Sequence, residues 1–211
     1  NAVTVTGAGT FCNSTSISAG LVGAGTIFFQ GTTSGGTSTV LGSTPQTITT
    51  SGTYYFRAQG AGGCWGPEGS AAVTINGGAT ANAGTPQTVC AGGTVTLAGS
   101  IGGTATSSTW SAPSGTFTAP GSLTSDYSPS IPSGTVTLTL TTNDPDGAGP
   151  CPAAASNVII TVNPLPNAVS VFGGGTVCNS TSISASLVGA GTIFFQGTTS
   201  GGTSTSLGGT P

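Results

Sequence analysis

The side chains able to do chemistry are few and scattered. One cation, Arg57, and four carboxylates, Glu68, Asp126, Asp144 and Asp146, are spread over 211 residues that contain no His and no Met. General acid–base catalysis needs such groups held close together. Phosphate and nucleic-acid binding need basic patches, and one arginine is not a patch. Zinc sites want clustered Cys or His. These absences point away from an enzyme, from a cofactor or metal site, and from a nucleic-acid partner. No apolar run approaches the roughly 20 residues of a membrane-spanning helix, so no membrane span is expected.

Three small constellations remain. Asn143-Asp144-Pro145-Asp146-Gly147 makes Asp144 and Asp146 candidate calcium ligands, since hard cations prefer clustered carboxylate and carbonyl oxygens. The same string is also good turn chemistry. Asn13-Ser14-Thr15 and Asn179-Ser180-Thr181 are N-glycosylation sequons, which makes Asn13 and Asn179 modification candidates. Trp65, beside Cys64 in a Gly-rich turn, reads either as a sugar-stacking platform or as a cover for a neighbouring disulfide.

The elements that carry these residues are strands. Gly accounts for 38 positions, and Thr and Ser raise the three to about half the chain, yet 35% of the residues are hydrophobic. They fall in short alternating runs. Thr135-Val136-Thr137-Leu138-Thr139-Leu140-Thr141 is a period-2 pattern, the mark of a half-buried strand. Val3-Thr4-Val5, Val73-Thr74-Ile75, Thr94-Val95-Thr96-Leu97 and Val158-Ile159-Ile160-Thr161-Val162 read the same way. No helical period occurs, and the fold class is all-β.

An internal repeat sets the organisation. Residues 1–45 return at 167–211 with 38 of 45 positions identical, a period of 166. The unit divides into two strand-rich halves with about seven strands each, the count for an immunoglobulin-like sandwich. Domain A is placed at 1–77 and domain B at 78–163. A Pro-rich linker at 164–166 follows, and 167–211 is the first half of a second domain A. Asn76-Gly77-Gly78 reads as a flexible joint, and the prolines around Leu165 as a semi-rigid one. The half-domain is expected to be completed by continuation of the same chain or by strands of a neighbour.

The five cysteines fall two to a domain with one left over. Cys12 and Cys64 belong to A, Cys90 and Cys151 to B, and Cys178 repeats Cys12. Each pair has one Cys at the end of the opening strand and one in a turn before the last strand. The expected disulfides are therefore Cys12–Cys64 and Cys90–Cys151, each closing a loop worth about 4 kcal/mol in the chain-entropy model. Cys178 would pair outside the segment. Disulfides imply an oxidising, extracellular setting. Trp110 is expected in the core of B, and Ser51-Gly52-Thr53-Tyr54-Tyr55-Phe56 resembles the entry to strand F of A, where a tyrosine corner is commonly found.

Several stretches carry a family resemblance. Gln46 to Gln59 followed by Gly63-Cys64-Trp65-Gly66-Pro67-Glu68-Gly69-Ser70 resemble Ig-like repeats of very large secreted Bacteroidetes surface proteins. Val89-Cys90-Ala91-Gly92-Gly93, Thr109-Trp110-Ser111 and Gly134 to Pro145 running on to Cys151 are similar to another repeat of those proteins. They include gliding-motility adhesins and cargo of the type IX secretion system. The resemblance implies an extracellular or cell-surface location and a structural role.

The surface chemistry fits that implication. Exposed sheet edges are usually guarded by charge, especially Lys, and soluble domains usually carry net charge. Here charged residues are 2% of the chain and the formal charge is −3. Glycans on the hydroxyls, or burial of edges in a fibre, would prevent random pairing. The expected function is the shaft of a surface adhesin or filament, glycosylated and self-assembling head-to-tail or laterally, with further copies of itself as partners. The alternative is a carbohydrate-binding adhesive module, which needs a cleft with exposed aromatics. Ice binding through the Thr135–Thr141 row would need matching rows on adjacent strands.

Overall fold

The computed structural model describes residues 2–189 and 191–205, so Asn1 and the end of the half-domain from residue 206 lie outside the described residues. The described residues contain strands and turns and no helix. The chain builds tandem immunoglobulin-like sandwiches.

In the first sandwich, strands β1 (Val3–Thr6), β3 (Thr15–Leu21) and β5 (Gln46–Ile48) form one sheet in the order β1-β3-β5. Strands β2 (Gly9–Cys12), β4 (Thr26–Phe29), β6 (Gly52–Gln59) and β7 (Trp65–Asn76) form the other in the order β2-β7-β6-β4. Alternation sends Val3, Ile17, Ile48, Tyr54, Phe56, Ala58, Ala71 and Val73 into one core between the sheets. Of the two tyrosines at the entry to β6, Tyr54 makes the corner: its hydroxyl donates to Thr50 O at 2.8 Å.

The second sandwich follows the same plan. Strands β8 (Ala79–Asn82), β9 (Gln87–Cys90), β10 (Val95–Thr96) and β11 (Ser100–Gly103) lead into β12 (Ser108–Ser111) and β13 (Thr116–Phe117). Strands β14 (Asp126–Ser128), β15 (Gly134–Thr142) and β16 (Ala155–Asn163) complete it. The main sheet is β12-β15-β16-β9, faced by β10-β14-β13 and the ribbon β11-β8. In β15, Val136, Leu138 and Leu140 point inward while Thr135 and Thr137 face outward. Trp110 is buried in this core as expected, its indole N–H donating to Ser122 O at 3.0 Å.

One feature of both sandwiches governs the cysteines. The second strand does not turn back antiparallel to its predecessor's sheet; it crosses over and runs parallel to the last strand. Cys12 thereby sits opposite Asn76 at the far end of β7, and Cys90 opposite Asn163 at the far end of β16.

The repeated half-domain contributes β17 (Val169–Phe172) and β18 (Ser184–Leu187), paired Val169↔Leu187. This is the register of β1 on β3, Val3↔Leu21, shifted by one repeat. No second sheet covers it among the described residues. Val169 and Ile183 are exposed, whereas their counterparts Val3 and Ile17 in the first copy are buried.

Candidate functional site

The cysteine pairing differs from the sequence expectation. Cys12 is bonded to Cys151, with 5.0 Å between Cα atoms across a separation of 139 residues, so the bridge joins the two sandwiches. Cys64 and Cys90 are exposed free thiols, as is Cys178. The expected Cys12–Cys64 bridge fails on distance. Cys12 lies beside Asn76 at one end of β7 and Cys64 just before Trp65 at the other. Twelve residues of strand at about 3.3 Å each put nearly 40 Å between those ends, against about 4.4–6.8 Å for a disulfide. Cys90 and Cys151 are parted in the same way by the length of β16.

The bridge closes a joint that is also held by polar contacts. Gly78 N–H donates to Asn13 Oδ1 at 2.9 Å, and Asn13 N–H to Asn76 O at 2.8 Å. Thr104 donates through its hydroxyl to Gly77 O at 2.7 Å and through its N–H to Gly78 O at 3.2 Å. Asn76 Nδ2 donates to Asp146 Oδ2 at 2.7 Å, tying the end of the first sandwich to the turn that carries Cys151. Gly77 and Gly78 serve close approach here instead of flexibility. A Cβ on Gly77 would meet Thr104 Cγ2 at 2.6 Å, and one on Gly78 would meet Asn13 Nδ2 at 2.9 Å. The joint expected to be flexible is fastened.

Two sequence candidates lie in this joint. Asn13 takes a left-handed backbone, φ 63°, and Asn179 repeats it with φ 74°, a conformation Asn tolerates better than most residues. Asn13 thus has a local role, and its side chain is exposed. Asp144 Oδ1 accepts from the N–H groups of Asp146 and Gly147, and Asp146 Oδ2 from Asn76 and the Cys151 N–H. Asp146 Oδ1 is buried without a protein donor. Asp144 Oδ2 and Asp146 Oδ1 are the carboxylate oxygens left over, short of the roughly six to eight that calcium takes, and no group of three or more His, Cys, Asp or Glu able to hold a metal occurs among the described residues.

The only arginine and Glu68 form a clamp, not a reactive pair. They face each other across β6 and β7. Glu68 accepts from Gly35 N–H at 2.7 Å and Ser34 Oγ at 2.8 Å. Arg57 donates to Gly35 O, Gly36 O and Gly66 O at 2.9–3.1 Å. Together they pin the 34–36 turn to the sheet. The Gly35 amide, then the Ser34 hydroxyl and the Arg57 charge, hold the Glu68 carboxyl below the ordinary carboxylate range. A depressed folded-state pKa gives stabilisation that is present above the unfolded value and lost as pH falls through the folded one. Acidification is therefore expected to release the turn first, read as faster hydrogen exchange at Gly35 below the normal Glu range, and E68Q is expected to abolish that pH dependence.

Trp65 does not cover a disulfide within its own sandwich, because Cys64 has no bonded partner among the described residues. Its ring stands edge-on to Phe28 at 5.7 Å, with the Arg57 guanidinium 5.7 Å from its centroid. A shallow notch of about 210 Å³ beside it is lined by Ala24, Ala58, Gly60, Cys64, Trp65 and Gly66. A single half-buried ring with one face occupied offers little for sugar stacking. The Thr row on β15 is matched only in part: Thr135 and Thr141 lie opposite Thr161 and Thr109, while Thr137 and Thr139 lie opposite Ile159 and Asn157 on β16.

A concavity lies open on the half-domain. An open groove of about 670 Å³ is lined by apolar residues that include Val169, Val171, Ile183, Phe194 and Phe195. In the first copy the same face is covered by β6 and β7, where Phe29 stacks on Tyr54 and lies tilted against Phe56.

No protein-family model matches the chain, and no curated protein matches it. Among solved structures it is similar to fibronectin(III)-like modules of CbhA from Clostridium thermocellum, at 14% identity over 77% of this chain and 94% of that one, TM-score 0.31. Extracellular domains 3–5 of Drosophila OTK match at 12% identity over 74% of this chain and 59% of that one, TM-score 0.38. The titin I-band fragment I67–I69 matches at 14% identity over 76% of this chain and 64% of that one, TM-score 0.35.

Proposed function

We propose that the chain is a stretch of the shaft of an extracellular surface adhesin or filament, of the kind found in large secreted Bacteroidetes proteins. The observation that carries this reading is the joint. Two sandwiches are joined by a disulfide, by hydrogen bonds on both sides of it and by glycines at which an added Cβ would displace Thr104 or Asn13. Such a joint transmits load and orientation. Arg57 and Glu68 serve the clamp, Asp144 and Asp146 the turn at the joint, and Asp126 accepts from the Thr96 hydroxyl across β10 and β14 at 2.6 Å.

Assembly belongs to the same proposal. The open face of the half-domain is completed by strands equivalent to β6 and β7, from the same chain or from a neighbouring copy by strand addition. Repetition of one contact at every 166-residue unit generates an open fibre when the contact is heterologous. Glycans on Asn13, Asn179 or the abundant hydroxyls supply the solubility that charge does not. Electron microscopy of native material is expected to show continuous filaments, and its intact mass is expected to exceed that of the bare peptide. Discrete monomers would overturn the shaft reading; a bare peptide mass would overturn the glycan part alone.

A further inference from the structure

We infer that Cys64 and Cys90 are the two halves of a second inter-module disulfide, which links each B module to the A module after it as Cys12–Cys151 links A to B. The inference rests on the tandem shaft reading and adds to it a covalent relay along the axis.

The two kinds of cysteine position are the same in both sandwiches. Cys12 and Cys90 each end the strand that runs parallel to the last one, facing Asn76 and Asn163. The residue after each donates its N–H to that asparagine's carbonyl oxygen at 2.8 Å, Asn13 to Asn76 and Ala91 to Asn163. Cys64 and Cys151 each lie in the connection between the last two strands, β6–β7 and β15–β16. In the joint that is present, a strand-end cysteine of one module is bonded to the turn cysteine of the next. The thiols left over are the turn cysteine of A, at the pole that would meet a preceding B, and the strand-end cysteine of B, at the pole that meets the following A.

Spacing supports the same pairing. A following A module on the same 166-residue period would carry the counterpart of Cys64 140 residues beyond Cys90, against the 139 that separate Cys12 from Cys151. Cys178, the repeat of Cys12, then takes the counterpart of Cys151. The Cys64 turn is shorter than the loop of Cys151. The B-to-A connection is longer, with five residues between Asn163 and Val169 against two between Asn76 and Ala79, and this gives the second joint the reach that its shorter turn lacks. Within one A–B pair, Cys64 and Cys90 stand at opposite poles and cannot meet.

Closure needs an oxidant, and an external disulfide such as oxidised glutathione suffices. The Cys64 thiolate attacks one of its sulfurs and releases one thiol. The Cys90 thiolate then attacks the Cys64 sulfur of the mixed disulfide and releases the second thiol. Two electrons pass to the oxidant, and the two cysteine protons end on the released thiols.

The test is a peptide map of the native protein, denatured in iodoacetamide without reductant and digested with chymotrypsin. The peptide containing Gly63-Cys64-Trp65 is expected to emerge coupled to the one containing Val89-Cys90-Ala91, with neither alkylated. Electrophoresis without reductant separates the two sources of the partner thiol: an unchanged chain mass means the same chain, and a ladder means a neighbour. In a C90S variant Cys64 is expected to become fully alkylatable. Both peptides alkylated in the native protein, Cys64 coupled to Cys12, or Cys64 still blocked in C90S would overturn the relay. Filaments with both thiols alkylated would sink the relay and leave the shaft; the coupled peptide in discrete particles would do the reverse.

Discussion

Replacing Cys12 and Cys151 together with Ser is expected to loosen the joint while both sandwiches remain folded. The bridge closes 139 residues of chain, worth about 5 kcal/mol against the fully unfolded state in the chain-entropy model. That is a large share of the roughly 5–15 kcal/mol by which domains are stable. The double variant is expected to denature at lower denaturant than the oxidised parent and to match the parent under reducing conditions. Small-angle scattering should show a broader distribution of inter-module distances. The hydrogen bonds of Asn13, Asn76 and Thr104 remain, so loosening and not separation is the predicted state. An unchanged midpoint and unchanged scattering would mean that the bridge does not carry the joint.

Trp110→Ala is expected to cost the second sandwich about 4 kcal/mol, in the range for large aromatic truncations. The indole is 2% exposed and packs among Leu138, Leu140 and Tyr127. It also gives up a hydrogen bond, leaving Ser122 O without its donor. Gly99 lies so close beneath it that a Cβ there would stand 2.8 Å from the ring, so the site is tightly filled. The first sandwich has its own core around Ile17 and Phe56 and should not respond. Equilibrium denaturation of the variant is predicted to split into two transitions, with the earlier one reported by residues of the second core. A single transition at the parent midpoint would refute that separation.

The strands and the packing residues were legible because alternation is a local signal. The Thr-Val-Thr-Leu run became β15 with its apolar side inward, Trp110 went to the core, and Tyr54 made its corner. The calcium string was legible as a turn for the same reason, since Asp144 needs only the N–H groups two and three residues on. What the sequence concealed was a choice between sheets. Whether the strand ending at Cys12 stays antiparallel to its neighbour or crosses to run beside β7 depends on contacts made some 60 residues away. That single choice moves the cysteine from one pole of the sandwich to the other, and with it turns two intradomain staples into a link between domains.

The glycines at the joint misled for a related reason. Gly77 and Gly78 look like a flexible linker when read alone, and only the approach of Thr104 and Asn13 reveals that the space is what matters. The Asn13 amide gave a signal that could have been read: an Asn directly after a strand-end cysteine suits a left-handed backbone, and it recurs at Asn179.

The most direct test of covalent fastening between modules is the identity of the peptide bound to Cys12 in the unreduced protein. Non-reducing digestion and mass spectrometry are predicted to find Phe11-Cys12-Asn13 coupled to Pro150-Cys151-Pro152. Coupling of Cys12 to Cys64 would contradict the account, because it would place the end of β2 at the opposite pole of the first sandwich and leave the backbone as the one covalent link between the modules.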